Sequence, residues 1–263
     1  MLWDGATVAA IGATIAAIPL TFAAMTPRPP QALLFDLDDT MWPIGPVIAA
    51  AEVGWHAWLA ERAPAVTRKY SVEALRALRL ALLEKQPELT ADLYRLRRVA
   101  LEAVFAETGE DAAHIDGAMQ HFNVLRNAVT LFDDVAPVLA ELGGMLRLGV
   151  ITNGNADLEV IGLHHHFEVA LASARFGRAK PDPAIFLAAC AAMGVAPADA
   201  VYVGDDLRLD VGGAQAAGMR AVWMNRAGSD AHVAAGIVPD AICADFHALL
   251  AWVRQQMGQQ LRH

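Results

Sequence analysis

The stretch Ala32-Leu33-Leu34-Phe35-Asp36-Leu37-Asp38-Asp39-Thr40 decides how the rest of the chain is read. Four apolar residues in a row read as a short strand buried on both faces, as in a parallel sheet. The acids follow at its C-terminal end, where open α/β sheets place their ligands. In extended backbone, side chains at i and i+2 point the same way, so Asp36 and Asp38 share one face. Two carboxylates so placed can divide a reaction between a nucleophile and a proton shuttle. A solvated acidic turn has the same composition, so the stretch needs support from elsewhere in the chain.

Beyond Pro43 the period changes. Val47, Ile48, Ala51, Trp55, Trp58 and Leu59 recur at helical spacing, as do Leu75, Leu78 and Leu82, and Leu93, Leu96, Ala100 and Val104. After about residue 131 short strands alternate with helices. Strands are expected at 148–151, 169–172, 200–203 and 221–224, and helices at 157–163, 183–193 and 210–217. This alternation predicts an α/β fold: a Rossmann-like, doubly wound, mainly parallel sheet built from residues 31–42 and 132–263. Residues 43–131 form an all-helical insertion after its first strand.

Composition excludes several classes. The 263 residues are 56% hydrophobic and 19% charged, which suits a packed core and not a disordered chain. The 29 acids outnumber the 20 bases, and a net charge of −9 argues against a nucleic-acid binder. The insertion holds 11 acids and 10 bases, whereas the remainder holds 18 and 10, much of that excess at strand ends. Cys190 and Cys243 lack metal-ligand spacing and read as reduced thiols, so a cytoplasmic protein is expected. Residues 1–30 are set apart as an extension. Its uncharged stretch 5–25 could span a bilayer by length, but it is Ala/Gly/Thr-rich, contains Pro19 and follows Asp4. It is read as a mis-set start or disposable extension ahead of Met25, in preference to a signal or membrane anchor.

Three further clusters supply the support. Val203-Gly204-Asp205-Asp206 ends another strand, with Asp210 at the expected N-cap of the next helix. Oxygen ligands from two strand ends, with room for water, suit Mg2+. Thr152-Asn153-Gly154-Asn155 lies between a strand and a helix, where backbone N–H groups and the Thr152 hydroxyl can receive a phosphate. Lys180 stands out because Lys fills only three of the 20 basic positions. An ammonium meets one phosphoryl or carboxylate oxygen as a point charge, which a guanidinium does less well.

In order and context, the four elements resemble the haloacid dehalogenase superfamily, over roughly residues 31–245. The resemblance implies that the insertion is a cap, that Asp36 is the nucleophile forming an aspartyl-phosphate, and that Asp38 is the general acid/base. It implies that Thr152, Asn153 and Lys180 hold the phosphoryl group. It also implies that Asp36, Asp205 and the backbone carbonyl of Asp38 ligate Mg2+, with Asp206 and Asp210 further out. An acid at position 38 favours phosphate esters over carbon–halogen bonds, because an ester oxygen must be protonated as it leaves. FDLDDT, ITNGNA, GRAKP and VGDDLRLDVGGAQAAGM further resemble the YigB-type phosphatases, a branch acting on FMN and 5-amino-6-(5-phospho-D-ribitylamino)uracil in riboflavin metabolism. The expected partner is thus a small phosphate ester. A general phosphatase of sugar phosphates, phosphoglycolate or nucleotides would share every catalytic residue. A non-catalytic relative would lack one of Asp36, Asp38, Lys180 or Asp205.

Other features are given structural roles. Consecutive His164, His165 and His166 cannot easily converge on one ion. Trp55 and Trp58 share an apolar helix face, and Arg95, Arg97 and Arg98 read as a solvated one. Trp42, directly after the nucleophile loop, is expected to present an aromatic wall to a flavin-like or uracil ring.

Overall fold

A computed structural model describes residues 28–232 and 236–258. Residues 1–27, and with them most of the 1–30 extension, lie outside the described residues. Among the described residues, no helix is long and apolar enough to cross a membrane.

Strand β1 is Ala32–Phe35, and all four residues are buried. It lies inside a parallel sheet with β2 (Arg147–Thr152), β3 (Val169–Ala172), β4 (Ala200–Gly204), β5 (Arg220–Met224) and β6 (Ala241–Cys243), in the order β3-β2-β1-β4-β5-β6. Side chains alternate across it. Leu33, Phe35, Val150 and Val203 enter one core with Val135, Leu139, Phe246 and Leu249. Ala32, Leu34, Ile151 and Tyr202 enter the other with Ile185, Phe186 and Ala189 of helix Pro183–Ala192. Such two-sided burial explains why β1 has no polar residue.

Register sets the site. Phe35 pairs with Val150 on one side and Val203 on the other. The residues just beyond these positions (Asp36, Thr152 and Asp205) therefore emerge near one level at the C-terminal edge. The order of strand addition switches sides at β1, with β2 and β3 on one flank and β4 to β6 on the other, and at such a switch point these sheets open a ligand crevice.

The helices between β1 and β2 include α1 (Ile44–Arg62), α2 (Pro64–Lys69), α3 (Val72–Lys85), α4 (Leu93–Thr108) and α5 (His114–Arg126). They pack on a core of their own: Trp55, Leu59, Leu101, Val104, Phe105, Met119 and Phe122 are buried together, with Trp58 at its margin. The Trp55 indole N–H donates to Ala118 O at 2.8 Å, satisfying its polar atom within that core.

Three expectations are corrected. Arg97 is not on a solvated face: it is 9% exposed, lies 3.4 Å over the Phe122 ring and is drawn toward Glu52, which also pairs with Arg79. Burial, then repulsion from Arg79, pushes its guanidinium down to about 9. The expected helix at 210–217 starts earlier, as a widened turn at Leu207–Gly212 that runs into Gly213–Ala216. Its cap is Asp206, whose Oδ1 accepts from Arg208 N at 2.8 Å and Leu209 N at 2.7 Å. The edge strand β6 is short and its central Ile242 is half exposed, so it lacks a buried apolar run to mark it.

Candidate active site

Four elements deliver the site. After β1 the chain turns tightly: Met41 N donates to Leu37 O and Asp39 N to Trp42 O, both at 2.8 Å. Asp39 takes φ 59°, a conformation Asp tolerates better than most residues. Its Oδ1 accepts from Ile44 N at 2.9 Å and so starts α1. The turn leaves Asp36 and Asp38 at the crevice and Thr40 fully buried beneath it.

Asp36 is 7% exposed, and its Oδ1 lies 2.5 Å from Lys180 Nζ. The ammonium also donates to Asp210 Oδ1 at 2.6 Å and to the Tyr202 hydroxyl at 2.9 Å. Tyr202 in turn donates to Ile151 O at 2.9 Å. All three ammonium protons thus have acceptors. Burial drags the Lys180 pKa down, but Asp210 and Asp36 together lift it well above the usual value, so it stays an ammonium. Burial pushes the Asp36 carboxyl up, Lys180 pulls it down and Asp210 pushes it up again, leaving it above the ordinary range.

Asn153 spends its amide on this lysine. It donates to Lys180 O at 3.0 Å and accepts from Lys180 N at 2.8 Å. Its side-chain amide is therefore committed to the Lys180 backbone, a correction to its expected place as a phosphate ligand. Thr152 is 4% exposed, with Oγ1 accepting from Gly154 N at 2.9 Å.

Asp38 is held from two sides. Arg126 Nη2, at the end of α5, lies 2.9 Å from both carboxylate oxygens, and the Trp42 indole N–H donates to Oδ1 at 2.9 Å. Trp42 is thereby corrected: it is 0% exposed, packed in the sheet's core, and cannot wall a substrate. Burying the ring required a partner for its N–H, and Asp38 supplies one. Sequence reasoning missed Arg126, although it is the only Lys or Arg between Arg98 and Arg147. It also missed Tyr202, a phenol in an otherwise apolar strand.

The fit for a cation rests on the acids. Carboxylate oxygens of Asp36, Asp205 and Asp210 all lie within 4.8 Å of one another. Lys180 takes Oδ1 of Asp36 and Thr40 donates to Oδ1 of Asp205 at 3.1 Å, leaving the second oxygen of each. Burial, then repulsion from Asp210, pushes the Asp205 carboxyl up to about 7. Ionising this trio needs more positive charge than Lys180 provides, and hard oxygen donors suit Mg2+. The Asp38 side chain is not in the trio, so only its backbone carbonyl remains a candidate ligand. Asp206 is an exposed cap that faces away from this role. Asp210, expected to cap a helix, is instead 1% exposed and joined to Lys180, with Asp206 N donating to its Oδ2 at 2.9 Å.

Gly204 makes that position possible: a Cβ there would overlap the Asp210 carboxyl. Gly154 does the same for Asp38. A Cβ would lie 2.7 Å from Asp38 Oδ2, 3.1 Å from Arg126 Nη2 and 3.2 Å from Thr152 Oγ1.

A buried Asp–Lys pair, a second carboxylate held by donors and an acidic trio at adjoining strand ends define a hydrolase of one type. Residues 30–218 match the family model of haloacid dehalogenase-like hydrolases, and the chain belongs to that family. Over 203 residues it is 34% identical to 5-amino-6-(5-phospho-D-ribitylamino)uracil phosphatase YigB of Escherichia coli, covering 76% of this chain and 85% of the relative. It is 33% identical over 219 residues to glyceraldehyde 3-phosphate phosphatase of Methanopyrus kandleri, covering 74% and 84%. A solved 2-haloacid dehalogenase from Pseudomonas syringae is similar at TM-score 0.79 and 38% identity, covering 87% of this chain and 99% of that one. A phosphatase of the family from Thermococcus onnurineus superposes at TM-score 0.60 and 26% identity, covering 83% and 95%. The chain is a phosphatase of this family.

Proposed function

We propose that the protein is a Mg2+-dependent phosphomonoester hydrolase acting on 5-amino-6-(5-phospho-D-ribitylamino)uracil or FMN. The carrying observation is Asp38, an acid held by Arg126 and Trp42 beside the buried Asp36–Lys180 pair. A dehalogenase has no leaving alkoxide to protonate, so a positioned second acid favours esters over carbon–halogen bonds. The identity to YigB over most of both chains supports the ribityl substrate.

Asp36 attacks phosphorus, forming an O–P bond as the ester O–P bond breaks. Asp38 gives its proton to the departing alkoxide. It then takes a proton from the water that attacks the aspartyl-phosphate, which regenerates Asp36 and frees inorganic phosphate. The Thr152 hydroxyl holds one phosphoryl oxygen, and Lys180 holds another by giving up one of its three present acceptors. Mg2+, held by Asp36, Asp205 and the Asp38 carbonyl with Asp210 beside them, would neutralise charge between carboxylates and phosphate.

The test is a panel of FMN, the ribitylaminouracil phosphate, phosphoglycolate, glyceraldehyde 3-phosphate and a nucleoside monophosphate, each with Mg2+ and after chelation. Highest kcat/KM on a ribityl phosphate, lost on chelation, is the expected result. Highest kcat/KM on another ester overturns the substrate assignment, and full turnover after chelation overturns the metal.

A further inference from the structure

Asn123 and Arg126 stand three residues apart near the end of α5, so they lie on one side of that helix. Arg126 holds Asp38 and donates through Nε to Asn155 Oδ1 at 3.2 Å. A guanidinium can only donate, so Asn155 must offer it the amide oxygen. The Asn155 Nδ2 group is thereby left for Asn123, and it donates to Asn123 Oδ1 at 3.4 Å. Asn123 in turn commits its oxygen, and its own Nδ2 is the group left over. Among the described residues, that Nδ2 has no hydrogen-bond partner.

Asn123 is half-buried and lines a cavity of about 700 Å3. The same cavity is lined by Thr152, Gly154 and Asn155 of the loop after β2, and by Leu158 and Phe167. Among the described residues, Asn123 is the only one of the helical insertion to line it. A phosphoryl group on Thr152 borders this space, so its leaving group can extend into it alongside the Asn123 amide. Small-molecule sites span roughly 300–1,000 Å3 and rely on a few placed polar groups for orientation. The volume therefore suits a leaving group of several carbons, and the spare amide donor asks for an oxygen on it.

We propose that Asn123 is a specificity-determining residue for this phosphatase: its free Nδ2–H donates to a hydroxyl or carbonyl oxygen of a leaving group lying in the cavity. The class selected is the phosphomonoester of a hydroxylated alcohol several carbons long, in preference to an alkyl phosphate of equal length. The inference rests on the phosphatase reading, which places the phosphoryl group at Thr152. A polar group placed to meet a substrate oxygen discriminates against an analogue lacking it, because its own hydrogen bond is then lost.

Ribitol 5-phosphate and pentyl phosphate share a five-carbon chain and differ in its hydroxyls, with p-nitrophenyl phosphate as reference. With Mg2+ present, the wild type should favour the ribitol ester by about tenfold or more in kcat/KM. Asn123→Leu and Asn123→Ala should each lower that ratio by about fivefold or more, through loss on the ribitol ester. Damage to folding or to the phosphoryl site lowers both esters alike and leaves the ratio intact. A wild-type ratio near one, or equal losses on the two esters in both variants, overturns the inference. Turnover of p-nitrophenyl phosphate and of neither five-carbon ester also overturns it. No turnover of any of the three by the wild type overturns the phosphatase reading itself.

Discussion

Lys180 Nζ lies 2.5 Å from Asp36 Oδ1, so this carboxylate and its counter-ion form one buried unit, with Asp210 at 2.6 Å from the ammonium. Removing either charge has different consequences. Asp36→Asn leaves Lys180 paired with Asp210, so the fold should survive while kcat falls by about four orders of magnitude or more. Lys180→Met strands two buried carboxylates and should cost about 3–5 kcal/mol of stability. Urea unfolding of both variants, with turnover measured alongside, checks the contrast. Similar stability losses in the two would mean that Asp210 does not hold the lysine.

Asp205 makes stability depend on pH and metal together. Its folded pKa of about 7 stands well above the ordinary carboxylate range, so the folded state binds its proton more tightly than the unfolded chain. Between about pH 4 and pH 7 the folded state therefore holds more protons, and stability falls as pH rises through that window. Thermal melts after chelation should show a decline across this window, flattened by Asp205→Asn. Added Mg2+ should raise the melting temperature most near pH 7, where the carboxylates are asked to ionise. A metal-independent melting profile would contradict the trio as a cation site.

Gly204→Ala tests how closely Asp210 approaches β4. The added methyl would overlap the Asp210 carboxyl, and overpacking of this kind costs about 1–3 kcal/mol. Displacing Asp210 also loosens Lys180, so kcat/KM should fall by at least about tenfold on every ester. Calorimetry and kinetics of this variant check both. Normal activity would show that the lysine is held without Asp210.

Trp42→Phe keeps a buried ring but removes the donor to Asp38. Because Trp42 is 0% exposed, losses in kcat/KM should be equal on FMN and on phosphoglycolate. Trp42→Ala should instead destabilise the fold by about 3–5 kcal/mol through the cavity it leaves. A loss confined to FMN would return Trp42 to the substrate pocket.

Much of this was written locally in the chain. Phe35-Asp36-Leu37-Asp38 announces a buried strand ending in acids, because burial and alternation leave marks on neighbouring residues. Periods of two and 3.6 residues likewise separated the sheet from the helices of α1 to α5. The partners of each side chain leave no such marks. Arg126 meets Asp38 across 88 residues, and Lys180 meets Asp36 across 144. Trp42 looked like a pocket wall by adjacency, and Asn153 like a phosphate ligand by its loop. One was buried because its N–H found Asp38, the other committed because its amide matched a peptide group. Sequence alone determined five of the six strands and singled out Asp36, Asp38 and Lys180, since propensity and local chemistry are properties of short segments. Only the tertiary structure decided which groups hold those residues in place, because hydrogen bonds between distant segments exist only once packing has brought them together.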